Sequence, residues 1–360
     1  MTFNKKLAAL AFLAAFTMPA AFADDISPEA TAPPSTPPPV TIEAPAPDVS
    51  TTTVQTTTTT TTLTPREVKE LKQLVGHYDW IKALAYTKDG TRAVSGSADK
   101  TVRLWDLASG KEIRKYPGHT GQVNAVAMTP DEKYLVSVSD DRTVRIYELE
   151  SGLPVSIYRG HGNIVTSVVI SADGTRAMTG SYDRTAKIIS IPDAKELMSL
   201  EGHGETIRCV GFMPSMLKAV TGSEAGVLKV WDIVGNKELL SIPAHTDSIL
   251  SLAVAPDGKV LTGSRDLSAK IWDTDKGVST QSLEGHKDWV TKVGFMSGSD
   301  KAITGSLDRT IRTWDLANGQ PLVELEGLNF GIFSEEFSPD RKQALTGSND
   351  KSIRVWSLPD

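Results

Sequence analysis

The sequence predicts an all-β chain, a seven-bladed β-propeller of four-stranded antiparallel blades, and three observations predict it. The six histidines, His77, His119, His161, His203, His245 and His286, stand 42, 42, 42, 42 and 41 residues apart. A further step of 42 residues reaches Leu328, which follows Gly327 as most of the histidines follow a glycine. Between these marks one order of apolar alternation, turn and Trp-Asp recurs, and self-similarity at a period of roughly 40–45 residues is the mark of propeller blades.

Taken in order, residues 1–23 predict a secretory leader. Lys5 and Lys6 precede an apolar run from Leu7 to Phe16, and a small-residue segment ends Ala21-Phe22-Ala23. Cleavage is expected after Ala23, which places the mature protein in a periplasm or outside the cell. The apolar run is shorter than the ~20 residues that span a bilayer and Pro19 interrupts it, so no stable membrane insertion is expected after cleavage. Residues 24–64 are a Pro/Thr tract, with Pro33, Pro34, Pro37, Pro38 and Pro39 ahead of threonines at 51–53 and 56–62. So little apolar surface cannot offset the entropy of ordering, and the tract reads as a disordered linker, either a stalk or a passive leader. Its 41 residues would reach about 125 Å as polyproline helix and ~35 Å as a random coil.

The propeller is expected over 65–360. It opens on Lys69-Glu70-Leu71-Lys72-Gln73-Leu74, which matches the fourth-strand pattern KELMSL at 195–200. The last unit stops after its third strand, so this N-terminal strand is expected to complete the seventh blade, closing the ring and removing open edges. Within each unit, Gly-His is followed by an alternating run such as VNAVAM from Val123 or IRCVGF from Ile207. A turn such as Pro256-Asp257-Gly258 or Ala172-Asp173-Gly174 comes next, and alternation bounded by Asp-Gly is a hairpin signal. A strand ending Ser/Thr-Gly-Ser, a turn containing Asp and a third strand follow (TVRLWD from Thr101, IRTWDL from Ile311), and a fourth strand leads to the next Gly-His.

In these motifs the protein resembles the WD-repeat (Trp-Asp repeat) propellers over about residues 65–360. Trp-Asp stands at Trp105-Asp106, Trp231-Asp232, Trp272-Asp273 and Trp314-Asp315, and degrades to Tyr147-Glu148, Ile189-Ser190 and Trp356-Ser357. The resemblance implies a buried hydrogen-bond network of Trp, Ser/Thr, His and Asp in each blade. Blade one carries His77, Ser95, Asp99 and Trp105; blade five carries His245, Thr262, Asp266 and Trp272; blade six carries His286, Thr304, Asp308 and Trp314. Either hydroxyl of each Ser/Thr-x-Ser stretch can serve. Tyr147 and Ile189 replace the Trp of blades two and three, Ala225 the Asp of blade four, and Leu328 the His of blade seven.

The resemblance also implies protein or peptide binding on the face formed by the loops after Gly-His and the turns before each third strand. Candidates there are Trp80, Lys82, Asp140, Tyr182, Arg208, Arg265, Trp289, Leu307 and Phe330. Trp80 and Trp289 each stand three residues after a histidine, behind Asp79 and Asp288. With Phe330 from the blade between them they would form one aromatic arc, which suits an interface hot spot. The competing reading packs each Trp between neighbouring blades.

Composition narrows the chemistry. With 38 Lys plus Arg against 44 Asp plus Glu and a pI near 5.6, a general nucleic-acid binder is disfavoured. The single Cys209 excludes an intramolecular disulfide and a Cys-pair metal site, and its apolar strand marks it as a core residue. The blade networks occupy all six histidines, so neither a metal nor a cofactor nor a catalytic residue is expected. No Gly-x-Ser-x-Gly, phosphate-binding loop, His-Glu-x-x-His or calcium loop occurs, and GFMSGS at 294–299 only imitates the first. The expected function is a non-enzymatic interaction scaffold, monomeric by itself. Two other readings stay open: an exported propeller enzyme such as a metal-dependent hydrolase or lactonase, and an intracellular adaptor if the leader is not a signal.

Overall fold

Each repeat is too short for more than one sheet layer, and its alternating runs pair in sequence order. In blade one, Ile81–Tyr86, Arg92–Ser97, Val102–Asp106 and Lys111–Tyr116 lie side by side, antiparallel, from the axis outward. The same order recurs six more times, with inner strands beginning at Val123, Val165, Ile207, Ile249, Val290 and Ile332. The computed structural model describes residues 65–296, 299–326 and 332–358, with side chains except at 332 and 333. The leader and linker expected in 1–64, and Leu328 and Phe330, lie outside the described residues.

The second strand of each blade is the most deeply buried, because it is covered by sheet neighbours on both edges and by adjacent blades on both faces. Its glycine explains the fit. A Cβ at Gly96 would come within 2.6 Å of Val123 in blade two, and one at Gly347 within 2.5 Å of Ile81 in blade one. Blade seven therefore meets blade one by the contact that joins blades one and two. Apolar clusters straddle these seams, as where Leu84 and Trp105 pack with Leu345 and Val355. A bulge after the first residue of each inner strand, at Ile81/Ala83 and Val123/Ala125 for example, adds the local twist a radial sheet needs.

Closure is double. Strand β1 spans Arg66–Glu67 and β2 spans Lys69–Val75. As expected, β2 is the outermost strand of blade seven, antiparallel to Ser352–Ser357. Upstream, β1 adds a parallel fifth strand to Pro321–Glu326 of blade six. Val68 between them donates its N–H to the Glu326 carbonyl at 3.1 Å and packs with Leu325, Phe337 and Trp356. One short segment thus ties blade six to blade seven. Two residues carry no alternation, so β1 had no sequence pattern to announce it.

Candidate functional site

One hydrogen-bond network braces the Gly-His end of the blades. In blade one, burial would raise the Asp99 carboxyl, but bonds from His77, Thr101 and the Tyr78 N–H outweigh it and hold it well below the ordinary carboxylate range. Asp99 is therefore ionised and only accepts, which assigns the remaining protons. His77 Nδ1–H donates to Asp99 Oδ2 at 2.8 Å, Ser95 Oγ–H donates to His77 Nε2 at 2.6 Å, and Trp105 Nε1–H donates to Ser95 at 2.8 Å. Blade five repeats this with Asp266, His245, Thr262 and Trp272, and blade six with Asp308, His286, Thr304 and Trp314. The first hydroxyl of each Ser/Thr-x-Ser stretch serves the network. The second, Ser97 in blade one, accepts the Asp99 N–H at 3.0 Å and donates to the Asp79 carbonyl at 3.0 Å.

The degenerate blades keep what their residues allow. His119 and His161 retain both partners without a Trp, and the Tyr147 hydroxyl in the Trp position of blade two reaches the Pro117 carbonyl at 3.2 Å. Blade seven keeps Trp356 on Thr346 at 2.8 Å. In blade four Trp231 and His203 share Thr221, at 2.8 and 2.6 Å, while Ala225 offers His203 no carboxylate. Burial lowers the His203 pKa to about 4, helped by the Lys229 charge. Ala225→Asp should rebuild the network, stabilising the fold by about 1 kcal/mol and raising the His203 pKa. Urea denaturation and histidine NMR check this; an unchanged midpoint with His203 still near 4 would count against it.

Chemically, these groups are spent on structure. The six histidines are 5–7% exposed and each bonds within its own blade. Burial pushes the Cys209 thiol up to about 12, too high for a nucleophile. Among the described residues no group of three or more His, Cys, Asp or Glu is placed to hold a metal.

The loops after Gly-His and the turns before the third strands share the same end of the blades, and there side chains remain open. Trp80 is 46% and Trp289 39% exposed, with Tyr78 at 76% and Leu267 at 39%. The Asp before each Trp fixes its loop: Trp80 N–H donates to Asp79 Oδ1 at 2.9 Å, and Trp289 N–H to Asp288 Oδ1 at 2.8 Å. Arg265 of blade five lies 4.4 Å over the Trp289 ring, a cation–π contact. Trp289 thus both packs against the neighbouring blade and stays accessible. Arg208 lies 5.1 Å over Tyr182 and pairs with Glu224 at 2.7 Å. Lys82 donates to Gln122 and Asn124 at 2.9 and 2.5 Å, and Asn124 donates to Asp140 at 2.7 Å. Lys82 and Arg208 also line a cavity of about 770 Å³ on the axis, walled by inner strands of all seven blades.

The structure therefore gathers the candidates into three groups: Lys82 with Asp140, Tyr182 with Arg208, and Arg265 with Trp289 and Leu307. Leu307 is half-buried and donates its N–H to the Trp289 carbonyl at 3.0 Å. Trp80 belongs to blade one's loop beside Tyr78, over which Arg103 lies at 5.5 Å. Phe330, the middle of the expected arc, falls outside the described residues. Sequence reading missed Tyr78, Gln122, Asn124, Glu224 and Leu267. Strict register would have found Glu224, because Asp140, Tyr182, Glu224, Arg265 and Leu307 all donate their N–H to the preceding loop at one repeat position.

Comparisons with known proteins agree with this geometry. A family model described as the IFT122 first beta-propeller matches residues 130–360. One described as WD domain, G-beta repeat matches 68–106 and 110–148. Among individual proteins, the small ribosomal subunit protein RACK1 of Drosophila melanogaster is 52% identical over 40 residues, 11% of this protein and 13% of that one. Nuclear distribution protein PAC1 of Scheffersomyces stipitis is 49% identical over 39 residues, 11% of this protein and 7% of its own length. PAC1 of Tuber melanosporum is 57% identical over 37 residues, 10% and 8% of the two proteins. Each of these alignments is about one repeat long, and the match spans only a small fraction of these relatives.

Proposed function

The protein belongs to the WD-repeat β-propellers, and from that premise we propose that it is an exported, non-enzymatic scaffold that binds a protein or peptide on the face bearing Trp80 and Trp289. The observation that carries this is the accessible pair of tryptophans on loops pinned by Asp79 and Asp288, one of them under Arg265. Aromatic and arginine side chains held rigid at low entropic cost are what interface hot spots are built from. The blade histidines, by contrast, have no nitrogen to spare for a substrate in the blades that keep the full network. Export rests on the leader pattern of residues 1–23.

Crosslinking in the native compartment with mass spectrometry identifies the partner, and Trp80→Ala/Trp289→Ala tests the face. The double variant should stay folded and lose capture by roughly tenfold or more, the usual cost of removing two hot-spot aromatics. Undiminished capture by the folded variant sinks this face as the interface. N-terminal sequencing of the mature protein should begin at Asp24; an intact leader on soluble protein would instead make it an intracellular adaptor.

A further inference from the structure

A second cavity, of about 470 Å³, lies at the end of the channel away from the Gly-His loops, between blades five, six and seven. Leu252, Val254, Phe295, Met296 and Phe337 give it apolar walls, and among the described residues the charges that line it are Lys292, Glu336 and Arg341. Lys292 and Glu336 neutralise each other at 2.7 Å. Arg341, half-buried, makes no ion pair among the described residues. Its Nη2–H donates to the Phe295 carbonyl of blade six at 2.9 Å, and the guanidinium lies 5.9 Å from the centre of the Phe337 ring. None of its other N–H groups is a buried atom lacking a partner, and none is bonded within the protein, so they are open to the cavity or to water. A Cβ on Gly294 would stand 3.8 Å from both Arg341 Nη1 and Nη2, so the absent side chain leaves the guanidinium uncovered toward blade six.

The backbone singles out the same residue. Arg341 has φ +61° at a turn position where Gly90, Gly174 and Gly258 take +70°, +71° and +89° in blades one, three and five. A long side chain is strained in this left-handed region, where glycine is not. Glu132 holds the position in blade two and turns its charge to Arg92 at 3.3 Å. Asp340, next to Arg341, spends its carboxylate on the Ser338 hydroxyl and the Lys342 N–H, at 2.7 and 3.1 Å. Arg341 is thus a cation the fold places at some cost and leaves without a counter-charge.

We propose that this cavity binds a monocarboxylate with an apolar body, its carboxylate on Arg341 and its body against Phe295, Met296 and Phe337. The site is separate from the face of Trp80 and Trp289 and does not depend on the scaffold reading. A guanidinium presents paired N–H groups that match the two oxygens of one carboxylate. The Lys292–Glu336 pair cancels, so the lining carries one net positive charge, which a monoanion balances. A phosphate dianion would exceed it and be repelled by Glu336. An apolar cavity of this size with one convergent cation suits a small organic ligand. The carboxylate belongs to a free acid or to the C-terminus of a peptide that ends in an apolar residue, and the chemistry of capture is the same for both.

The test uses the full propeller and four probes: hydrocinnamate, its amide, acetyl-Gly-Phe with a free C-terminus, and inorganic phosphate. Calorimetry gives the affinities, and methionine-methyl NMR places the probe, with Met296 assigned by its absence in Met296→Leu. At least one of the two acids should bind, shift the Met296 methyl, and bind roughly tenfold more weakly to Arg341→Met, as loss of a charge-assisted pair predicts. Methionine keeps the apolar bulk and already occupies this turn position in blade four, as Met216 with φ +58°, so the variant should fold. Binding of hydrocinnamate or of the peptide alone identifies the source of the carboxylate. Four results overturn the proposal: an amide that binds as tightly as its acid, undiminished binding to Arg341→Met, tighter binding of phosphate, or no binding of either acid at millimolar concentration. Binding that leaves the Met296 methyl unmoved overturns it too, because the acid then sits elsewhere. The comparison of acid and amide on the wild-type protein needs no variant to fold.

Discussion

Replacing Glu335 by valine should stabilise the protein by about 2–4 kcal/mol at pH 8.5, and by much less at pH 5. Glu335 is on the inner strand of blade seven, at the position held by Leu84, Val126, Val168, Val210, Leu252 and Val293 in the other blades. It is 5% exposed, neither carboxyl oxygen makes a hydrogen bond of good geometry among the described residues, and the carboxyl presses on Gly305 of blade six. Burial raises its pKa from 4.5 to about 8; the Lys292 charge and the nearby Thr291 hydroxyl oppose this and Asp308 adds to it. The folded state thus keeps a proton that the unfolded state releases. Stability must fall as pH climbs from about 4.5 to about 8, and level off above. At ~1.4 kcal/mol per pKa unit the full penalty is several kcal/mol, and water reaching the ionised carboxyl from the channel reduces it. Valine restores the seam the other six blades use and removes the titration. Urea denaturation from pH 5 to pH 8.5 decides this: wild type should lose stability over that range and Glu335→Val should not. Parallel pH profiles, or a less stable variant at pH 8.5, would show that the carboxyl is satisfied.

Asp308→Ala should cost roughly 1–3 kcal/mol at pH 7, the penalty for buried donors left without an acceptor. Asp308 accepts from His286 at 2.9 Å, from the Lys287 and Thr310 N–H groups at 2.9 Å each, and from the Thr310 hydroxyl at 2.7 Å. Burial works to raise its pKa, but these bonds and the His286 interaction hold it below the ordinary carboxylate range. Its contribution is therefore present above about pH 4 and lost as pH falls toward the folded-state pKa. Asp99, Asp141 and Asp183 are depressed in the same way, so acid should unfold the propeller through several blades at once. Urea midpoints of variant and wild type should differ at pH 7 and draw closer as pH falls below about 4. An unchanged midpoint at pH 7 would show that the network does not stabilise the fold.

Much of this was legible in the sequence because the repeat writes each role several times over. The histidine spacing, the Ser/Thr-Gly-Ser strands and the Trp-Asp marks announce blades, strand order and the Trp–Ser/Thr–His–Asp network, since each partner lies at a fixed offset within one hairpin-connected sheet. The N-terminal strand of blade seven was legible for the same reason, as KELKQL repeats KELMSL. Other features depend on distances between blades, which no offset within a repeat encodes. The parallel addition of β1 to blade six is one. The stacking of Arg265 on Trp289 across a seam is another. By itself, then, the sequence determined the fold and the blade chemistry. Only the tertiary structure decided which surface residues lie together and which carboxyl, that of Glu335, is buried at a seam between blades, because contacts between blades are made by packing and not by periodicity.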